Sequence, residues 1–366
     1  MNTKKDVWLY NKYFEIIFII SPPFLASLGV YFFKDYFFTF EDIPLVYWII
    51  FVLLIDVAHV YSTLFRTYFH SIEFNENKEL YLFIPLLVWI TGMVLYSIGA
   101  GFFWTIMAYI AVFHFMRQQY GFLRLYSRYE DKDNFTNKLD NLLLYLSILY
   151  PVAYWHTNLP RKFNWFIEND FLVGLPPYFE VTFKYAYLLT LSIFILKESI
   201  NFIKKKPINL PKYFILSGTA ISWFIGIVLY NNDLIFTITN VVTHGIPYIA
   251  LIWIYGKKEI HTNNNLKVFG KINYRFFFNK YGILIFLGTL IIFAYIEESI
   301  WANFVWKEYL EIFPNLTFFK TNISEKTLTI LVPLLSVPQV THYILDGFIW
   351  KIRSDESYWK KLFFIN

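Results

Sequence analysis

The chain has 366 residues, of which 57% are hydrophobic, 23% are aromatic and only 16% are charged. A soluble domain has roughly 45–50% apolar and about 25% charged residues, so a soluble chain of this composition would lack the polar surface to cover its apolar residues. The composition therefore predicts an integral membrane protein. The absence of cysteine excludes disulfides and thiolate metal sites. The net charge of +5 says nothing about nucleic acid until the positions of the charges are known, and we expect no nucleic-acid partner.

Apolar runs that approach the length of a membrane span recur along the whole chain. A transmembrane helix needs about 20 apolar residues. The weakest of the ten candidates are 141–157, which is short, and 181–199, which carries Lys184. No boundary points to a second domain, so residues 1–366 are predicted to form one all-α transmembrane domain. The ten predicted spans are 13–33, 43–65, 80–99, 101–121, 141–157, 181–199, 211–230, 234–255, 281–300 and 327–349.

The distribution of lysine and arginine predicts how these spans are oriented. Cytoplasmic segments carry an excess of positive residues. The N-terminal MNTKKDVW, the segments after the fourth, sixth and eighth spans, and the C-terminal tail are all basic, whereas intervening loops such as KDYFFTFED and YNND are poorer in Lys and Arg. This alternation predicts ten transmembrane helices with both termini in the cytoplasm, in a multi-pass protein of the bacterial inner membrane.

Four even-numbered spans carry a histidine well inside the predicted membrane region. Ionisable side chains there are costly, so each one raises a functional hypothesis. All four spans run from the outside inwards, and at about 1.5 Å per residue their histidines fall in one layer about 9 Å thick. A single membrane histidine more often makes a packing hydrogen bond, but four at one depth favour a shared site. They are His59, His114, His244 and His342.

Two of these histidines have a carboxylate on the same helix face, because residues three or four apart lie side by side. Asp56 precedes His59 by three residues, and Asp346 follows His342 by four in THYILDGFIWK. Imidazole is the commonest metal ligand, and its second nitrogen is usually held by a carboxylate or a carbonyl group. The predicted metal-binding residues are His59, His114, His244 and His342, with Asp56 and Asp346 as further ligands or orienting partners.

A set of histidines and carboxylates without cysteine suits iron, manganese or zinc, and two bridged metals are an alternative to one. We favour iron, because a metal centre inside an apolar bundle suits oxygen-dependent attack on a lipid-like substrate. Arg117, Gln118 and Tyr120, which follow His114 on the same span, are predicted to line the site or to position the substrate. The remaining histidines, His70, His156 and His261, are interpreted as surface residues.

The clustered HxxxH and HxxHH boxes of membrane desaturases do not occur in this chain. The architecture resembles polytopic non-haem-iron enzymes whose single histidines come from separate spans, such as bacterial carotene-cleaving oxygenases, although no motif is shared. The prediction is a membrane-embedded non-haem-iron oxidoreductase or oxygenase that acts on a hydrophobic, lipid- or isoprenoid-like substrate. The depth of the histidines also predicts a cytoplasmic electron donor.

Two other functions fit the same residues. A haem protein would use pairs of histidines as axial ligands, but the aspartates beside them would then be harder to explain. A proton- or ion-coupled transporter would use the Asp, His and Arg residues of the spans as a relay. Transporters often contain inverted repeats, and the absence of a recognisable repeat makes this second alternative weaker.

Overall fold

The structure is a computed structural model that describes residues 7–130, 135–263, 265–315 and 324–350. The basic residues of the N-terminal segment 1–6 and of the C-terminal tail from residue 351, on which part of the predicted orientation rests, lie outside the described residues. The described chain is almost entirely helical. Its two short strands, β1 (Lys267–Val268) and β2 (Ile272–Asn273), form one antiparallel pair.

The helices are long, and most have the length of a membrane span. In chain order they are α1 (Lys12–Ile20), α2 (Pro22–Phe37), α3 (Leu45–Arg66), α4 (Ser71–Glu76), α5 (Lys78–Ile98), α6 (Ala100–Tyr126), α7 (Phe135–Thr157), α8 (Tyr178–Ile203), α9 (Leu210–Leu229), α10 (Asp233–Thr262), α11 (Arg275–Phe278), α12 (Gly282–Trp306) and α13 (Glu325–Ile349).

Within the described residues, eight helices are long and apolar enough to cross a membrane: α3, α5, α6, α8, α9, α10, α12 and α13. The predicted span 13–33 corresponds to α1 and α2, which meet at a bend of 49° and make a ninth span if they are counted together. The predicted span 141–157 lies within α7, which does not meet the same length and apolarity requirement. The described residues are therefore all-α, with eight candidate spans or nine if the bent pair is counted, which suggests a multi-pass membrane protein. The count of ten spans and the cytoplasmic placement of both termini stay predictions.

The polar residues of α7 explain why its composition differs from that of a lipid-facing helix. The buried carboxylate of Asp140 lies 3.0 Å from the ammonium group of Lys197 on α8 and 2.9 Å from that of Lys212 on α9. Lys212 also lies 3.0 Å from the carboxylate of Glu130. Because these charges are paired within the protein, α7 carries polar residues without exposing them to hydrocarbon.

One compact unit comprises Met1–Ile43 and Met107–Pro247. Its core is aromatic: the buried ring of Trp155 on α7 packs edge-on against Phe236 on α10, with 5.1 Å between the ring centroids. Phe115 on α6 belongs to the same core. The packing of Phe115 therefore determines which face of α6 is turned towards the interior of this unit.

The second compact unit comprises Pro44–Ile106 and Tyr248–Asn366, so α6 and α10 each contribute residues to both units. Its core also consists of aromatic side chains. The fully buried ring of Phe65 on α3 lies 4.9 Å from that of Phe286 on α12 and 5.6 Å from that of Phe278 on α11, measured between centroids. This cluster holds the C-terminal end of α3 in place.

In the first unit, α9 and α10 approach each other closely at Gly226. A Cβ atom added to this glycine would collide with the side chain of Thr239 and would press on that of Asn240. Small residues are typical of helix contacts in membranes, because they let two backbones come close enough for extensive van der Waals contact. We therefore expect the position to tolerate only glycine.

Replacement of Gly226 by alanine should lower the apparent melting temperature of the detergent-purified protein. Overpacking of this kind costs about 1–3 kcal/mol, which outweighs the better helix propensity of alanine. Gly288→Ala on α12 is the matched control, because a Cβ at Gly288 meets no atom within 4 Å. Equal melting temperatures for the two variants would show that the contact between α9 and α10 is not tight.

Candidate metal centre

In the second unit, α3 and α13 bring His59 and His342 together. Their ring centroids are 5.1 Å apart, and the ring planes are inclined at 78°. Both helices are irregular just before the histidine. Residues Trp48–Val57 of α3 are π-helical, a conformation that is frequent at functional sites. The α-helical geometry of α13 is interrupted at Ser336, between two proline residues of this span.

In the first unit, α6 and α10 bring His114 and His244 together with similar geometry. Their ring centroids are 5.0 Å apart, and the planes are inclined at 82°. The ring of Phe115 stacks on the His244 ring, with 3.6 Å between the centroids and 9° between the planes. This stacking fixes the plane of the His244 imidazole and therefore the directions of its two nitrogen lone pairs.

The four histidines form one cluster. Each offers one ring nitrogen, and these four atoms all lie within 4.8 Å of one another. All four side chains are buried, with between 1% and 4% of each residue exposed. The predicted convergence of His59, His114, His244 and His342 is therefore confirmed, and the arrangement is compatible with binding of a metal ion.

The two predicted aspartates lie beside the cluster. The nearest carboxylate oxygen of Asp56 is 3.8 Å from Nδ1 of His59, and that of Asp346 is also 3.8 Å from Nδ1 of His342. These distances are too long for direct hydrogen bonds. Nδ1 of His59 instead lies 3.3 Å from the carbonyl oxygen of Ile55, to which it can donate. Whether either aspartate binds metal stays a prediction.

The three predicted substrate-positioning residues lie on the part of α6 that follows His114. The guanidinium of Arg117 is exposed; it donates to the hydroxyl of Tyr145 at 2.8 Å and lies 4.6 Å from the ring centroid of Tyr120. The ring of Tyr120 stacks on that of Tyr145. The side-chain amide of Gln118 donates to the carbonyl oxygen of His244 at 2.8 Å. Of these three residues, Gln118 therefore has a direct contact with a histidine of the cluster.

Pro247 lies inside α10, three residues after one of the cluster histidines. Proline has no N–H group, so the carbonyl oxygen of Thr243, four residues earlier, loses its usual helical donor. The side-chain amide of Gln119 lies 3.3 Å from this oxygen and donates to it. The hydroxyl of Thr219 in turn donates to the side-chain oxygen of Gln119 at 3.0 Å. Gln119 thus replaces the missing hydrogen bond next to the site.

Sequence reasoning did not assign several polar residues near these helices to the site, although Thr63 is predicted to lie on the polar face of the span that carries His59. Thr63 and Tyr248 contact His342, and they follow His59 and His244 by four residues, a spacing that places them on the same helix faces. The carboxylates of Glu297 and Glu298 on α12 were also missed, although the segment YIEESIW puts two charges inside a predicted span. The hydroxyl of Tyr61 donates to Glu297 at 2.5 Å.

The interpretation of the other histidines as surface residues was wrong for two of the three. His70 is fully buried, and its Nε2 lies 3.4 Å from the equally buried carboxylate of Glu259. His156 is buried and makes a 2.6 Å hydrogen bond with the hydroxyl of Tyr109. Only His261 is exposed. The two buried rings have protein partners, as polar groups among apolar side chains require.

Comparisons of this chain with protein families, with characterised proteins and with solved structures give no match.

The Gln119→Leu variant should lose stability because the buried carbonyl of Thr243 and the hydroxyl of Thr219 lose a partner, at a cost of about 1–3 kcal/mol. The loss should be smaller in a Pro247→Ala background, where residue 247 regains an N–H for the Thr243 carbonyl. The apparent melting temperatures of the two single variants and the double variant measure this coupling.

Gln118→Leu is the matched control, because the carbonyl of His244 faces the N–H of a normal residue four positions later. Its effect should not depend on residue 247. An equal loss for Gln119→Leu in both backgrounds would contradict the assignment of Gln119 as a replacement for the missing helical donor.

Proposed function

We propose that this protein is a membrane-embedded metalloprotein in which the four histidines bind one divalent transition-metal ion. The observation that carries the proposal is the mutual distance of the four nitrogens, 4.8 Å at most. Four imidazole nitrogens bound at about 2.0–2.1 Å to one ion would lie about 3–4 Å apart, so small side-chain movements suffice to bind it. Imidazole ligands suit iron, zinc, copper and nickel.

One metal ion fits this cluster better than a pair of metal ions or a haem. A pair of metals normally needs bridging carboxylates, whereas the atoms within 4.8 Å of one another are all imidazole nitrogens. A haem would have to place its macrocycle between two axial histidines. The other two histidine nitrogens already occupy that space.

We favour iron as the ion and oxidation as the reaction. Four nitrogens satisfy tetrahedral zinc completely, which is typical of structural sites. An iron ion that prefers six ligands would keep two positions for oxygen or substrate. The described residues include eight apolar helices of membrane-spanning length, and a hydrophobic substrate would reach such a site from the bilayer. The proposed enzyme is a non-haem-iron oxidoreductase or oxygenase that acts on a lipid- or isoprenoid-like molecule, with a cytoplasmic electron donor.

The neighbouring polar residues would support this centre in different ways. Asp56 and Asp346 would balance the charge of the ion, since each carboxylate lies 3.8 Å from a histidine ring nitrogen. Gln118 would hold the backbone at His244. Arg117 and Tyr120 would contact the substrate, and the exposed position of Arg117, next to the half-buried Tyr120, suits an approach from outside the helix bundle.

Protein purified from cells grown with ample iron should contain close to one metal ion per chain by elemental analysis. The His342→Ala variant should lose most of it, because three imidazoles remain where four are needed. His156→Ala is the matched control, since His156 is also buried and hydrogen-bonded but does not belong to the cluster. Its metal content should equal that of the wild type.

Metal-free wild-type protein would contradict the proposal. A Soret band in the same sample would then assign the histidines to haem. Proton or ion flux into liposomes would instead favour a transporter. Asp56 and Glu297 could then act as part of its relay, because their carboxylates are close enough for their charges to interact.

Nitric oxide added to the anaerobic ferrous protein should give the EPR signal of a high-spin non-haem iron–nitrosyl complex, because the ion retains an open position. The signal should also appear in His156→Ala and disappear in His342→Ala. A ferrous protein with one iron per chain that does not bind nitric oxide would contradict an oxygen-activating role.

A further inference from the structure

Two hydroxyl groups connect one cluster histidine to a carboxylate. Oγ1 of Thr63 lies 2.7 Å from Nδ1 of His342 and 3.0 Å from the phenolic oxygen of Tyr248. The hydroxyl of Tyr248 donates to Asp346 at 2.5 Å. Thr63 and Tyr248 are 4% and 1% exposed, so water does not compete strongly for these bonds. All four residues belong to the same compact unit.

The number of protons in this chain of bonds determines their direction. Each hydroxyl group has one proton. Tyr248 gives its proton to Asp346, so its oxygen accepts the hydrogen bond from Thr63. Thr63 has then used its own proton, and its oxygen accepts from Nδ1–H of His342. The sequence of donors is therefore His342, Thr63, Tyr248, with Asp346 as the final acceptor.

We propose that Thr63 and Tyr248 are positioning residues for the metal centre. They hold His342 as the tautomer that carries its proton on Nδ1, so that Nε2 presents its lone pair to the ion. The carboxylate at the end of the chain makes the imidazole a stronger donor to the metal, as direct histidine–carboxylate pairs do in other metal sites. This inference rests on the proposed function, because it assumes that the cluster binds a metal ion.

The hydroxyl groups are needed because the carboxylate does not reach the ring by itself. Asp346 lies 3.8 Å from Nδ1 of His342, beyond hydrogen-bond range. The other histidine of this unit is held differently, since Nδ1 of His59 lies 3.3 Å from the backbone carbonyl of Ile55. A backbone carbonyl fixes the tautomer but has no full negative charge. His342 is therefore the ligand of this pair whose donor strength depends on side-chain hydroxyls.

The test measures Co²⁺ binding to the full-length, chelator-treated protein in detergent, through the d–d absorption of the bound ion. Loss of an outer hydrogen-bonding partner typically weakens metal binding by about 10–100-fold, and we expect a loss of that size for Thr63→Val and for Tyr248→Phe. Thr63→Ser keeps the hydroxyl and should therefore bind Co²⁺ with an affinity close to that of the wild type. The d–d bands of Thr63→Val and Tyr248→Phe should shift relative to the wild type and Thr63→Ser.

Tyr255→Phe is the matched control. Tyr255 lies on α10, is as completely buried as Tyr248, and packs under the guanidinium of Arg66 instead of joining this chain of bonds. Its affinity for Co²⁺ and its d–d bands should match those of the wild type, whatever its effect on the melting temperature. A purely structural role for the two hydroxyls would lower the melting temperature without shifting the bands.

The outcomes separate the two proposals. If the wild type does not bind Co²⁺, the proposed metal centre fails, and the role of Thr63 and Tyr248 fails with it. If the wild type binds and Thr63→Val and Tyr248→Phe bind equally well, only the role of the hydroxyls is overturned. The same holds if Thr63→Ser binds as weakly as Thr63→Val, because shape and not the hydroxyl would then explain the loss.

Discussion

Polar groups inside a membrane protein have no water to bond with, and this constraint governs both the fold and the candidate site. Each buried imidazole, carboxylate or released carbonyl must find its partner in the protein, or its burial costs several kcal/mol. The structure meets this requirement locally: Asp140 lies between two lysines, the carbonyl of Thr243 has Gln119, and Asp346 has Tyr248. Two of these partners, Gln119 on α6 and Tyr248 on α10, lie on helices that also carry cluster histidines.

One short segment of helix α10 contains several buried polar groups that need partners within the protein. It is the most enclosed of the candidate spans, with 89% of its most apolar stretch buried, whereas the corresponding value for α8 is 6%. His244, Pro247 and Tyr248 follow one another within little more than one turn of α10. A cluster histidine, a missing backbone donor and a hydrogen-bonding phenol therefore lie together on the most buried of the candidate spans. Helix α8 carries no cluster residue, and its exposed apolar side chains suit contact with lipid.

The candidate ligands could be predicted from the sequence because the position of a residue along a predicted span gives its depth in the membrane. Counting residues from the ends of apolar runs gave the depth of His59, His114, His244 and His342, and equal depth on separate helices was enough to predict their convergence. Their partners could not be predicted in this way. Thr63 and Tyr248 are distant in the chain, and hydroxyl-bearing residues are common in spans, so only packing shows that they meet at His342.

The same limit applies to α7, whose predicted span 141–157 stays a prediction. A hydropathy argument assumes that a span faces lipid, but α7 is enclosed by neighbouring helices and pairs its charge at Asp140 within the first unit. Conversely, Glu297 and Glu298 are visible in the sequence inside a predicted span, but no histidine accompanies them there. Charged residues in a span deserve equal weight whether or not a histidine accompanies them.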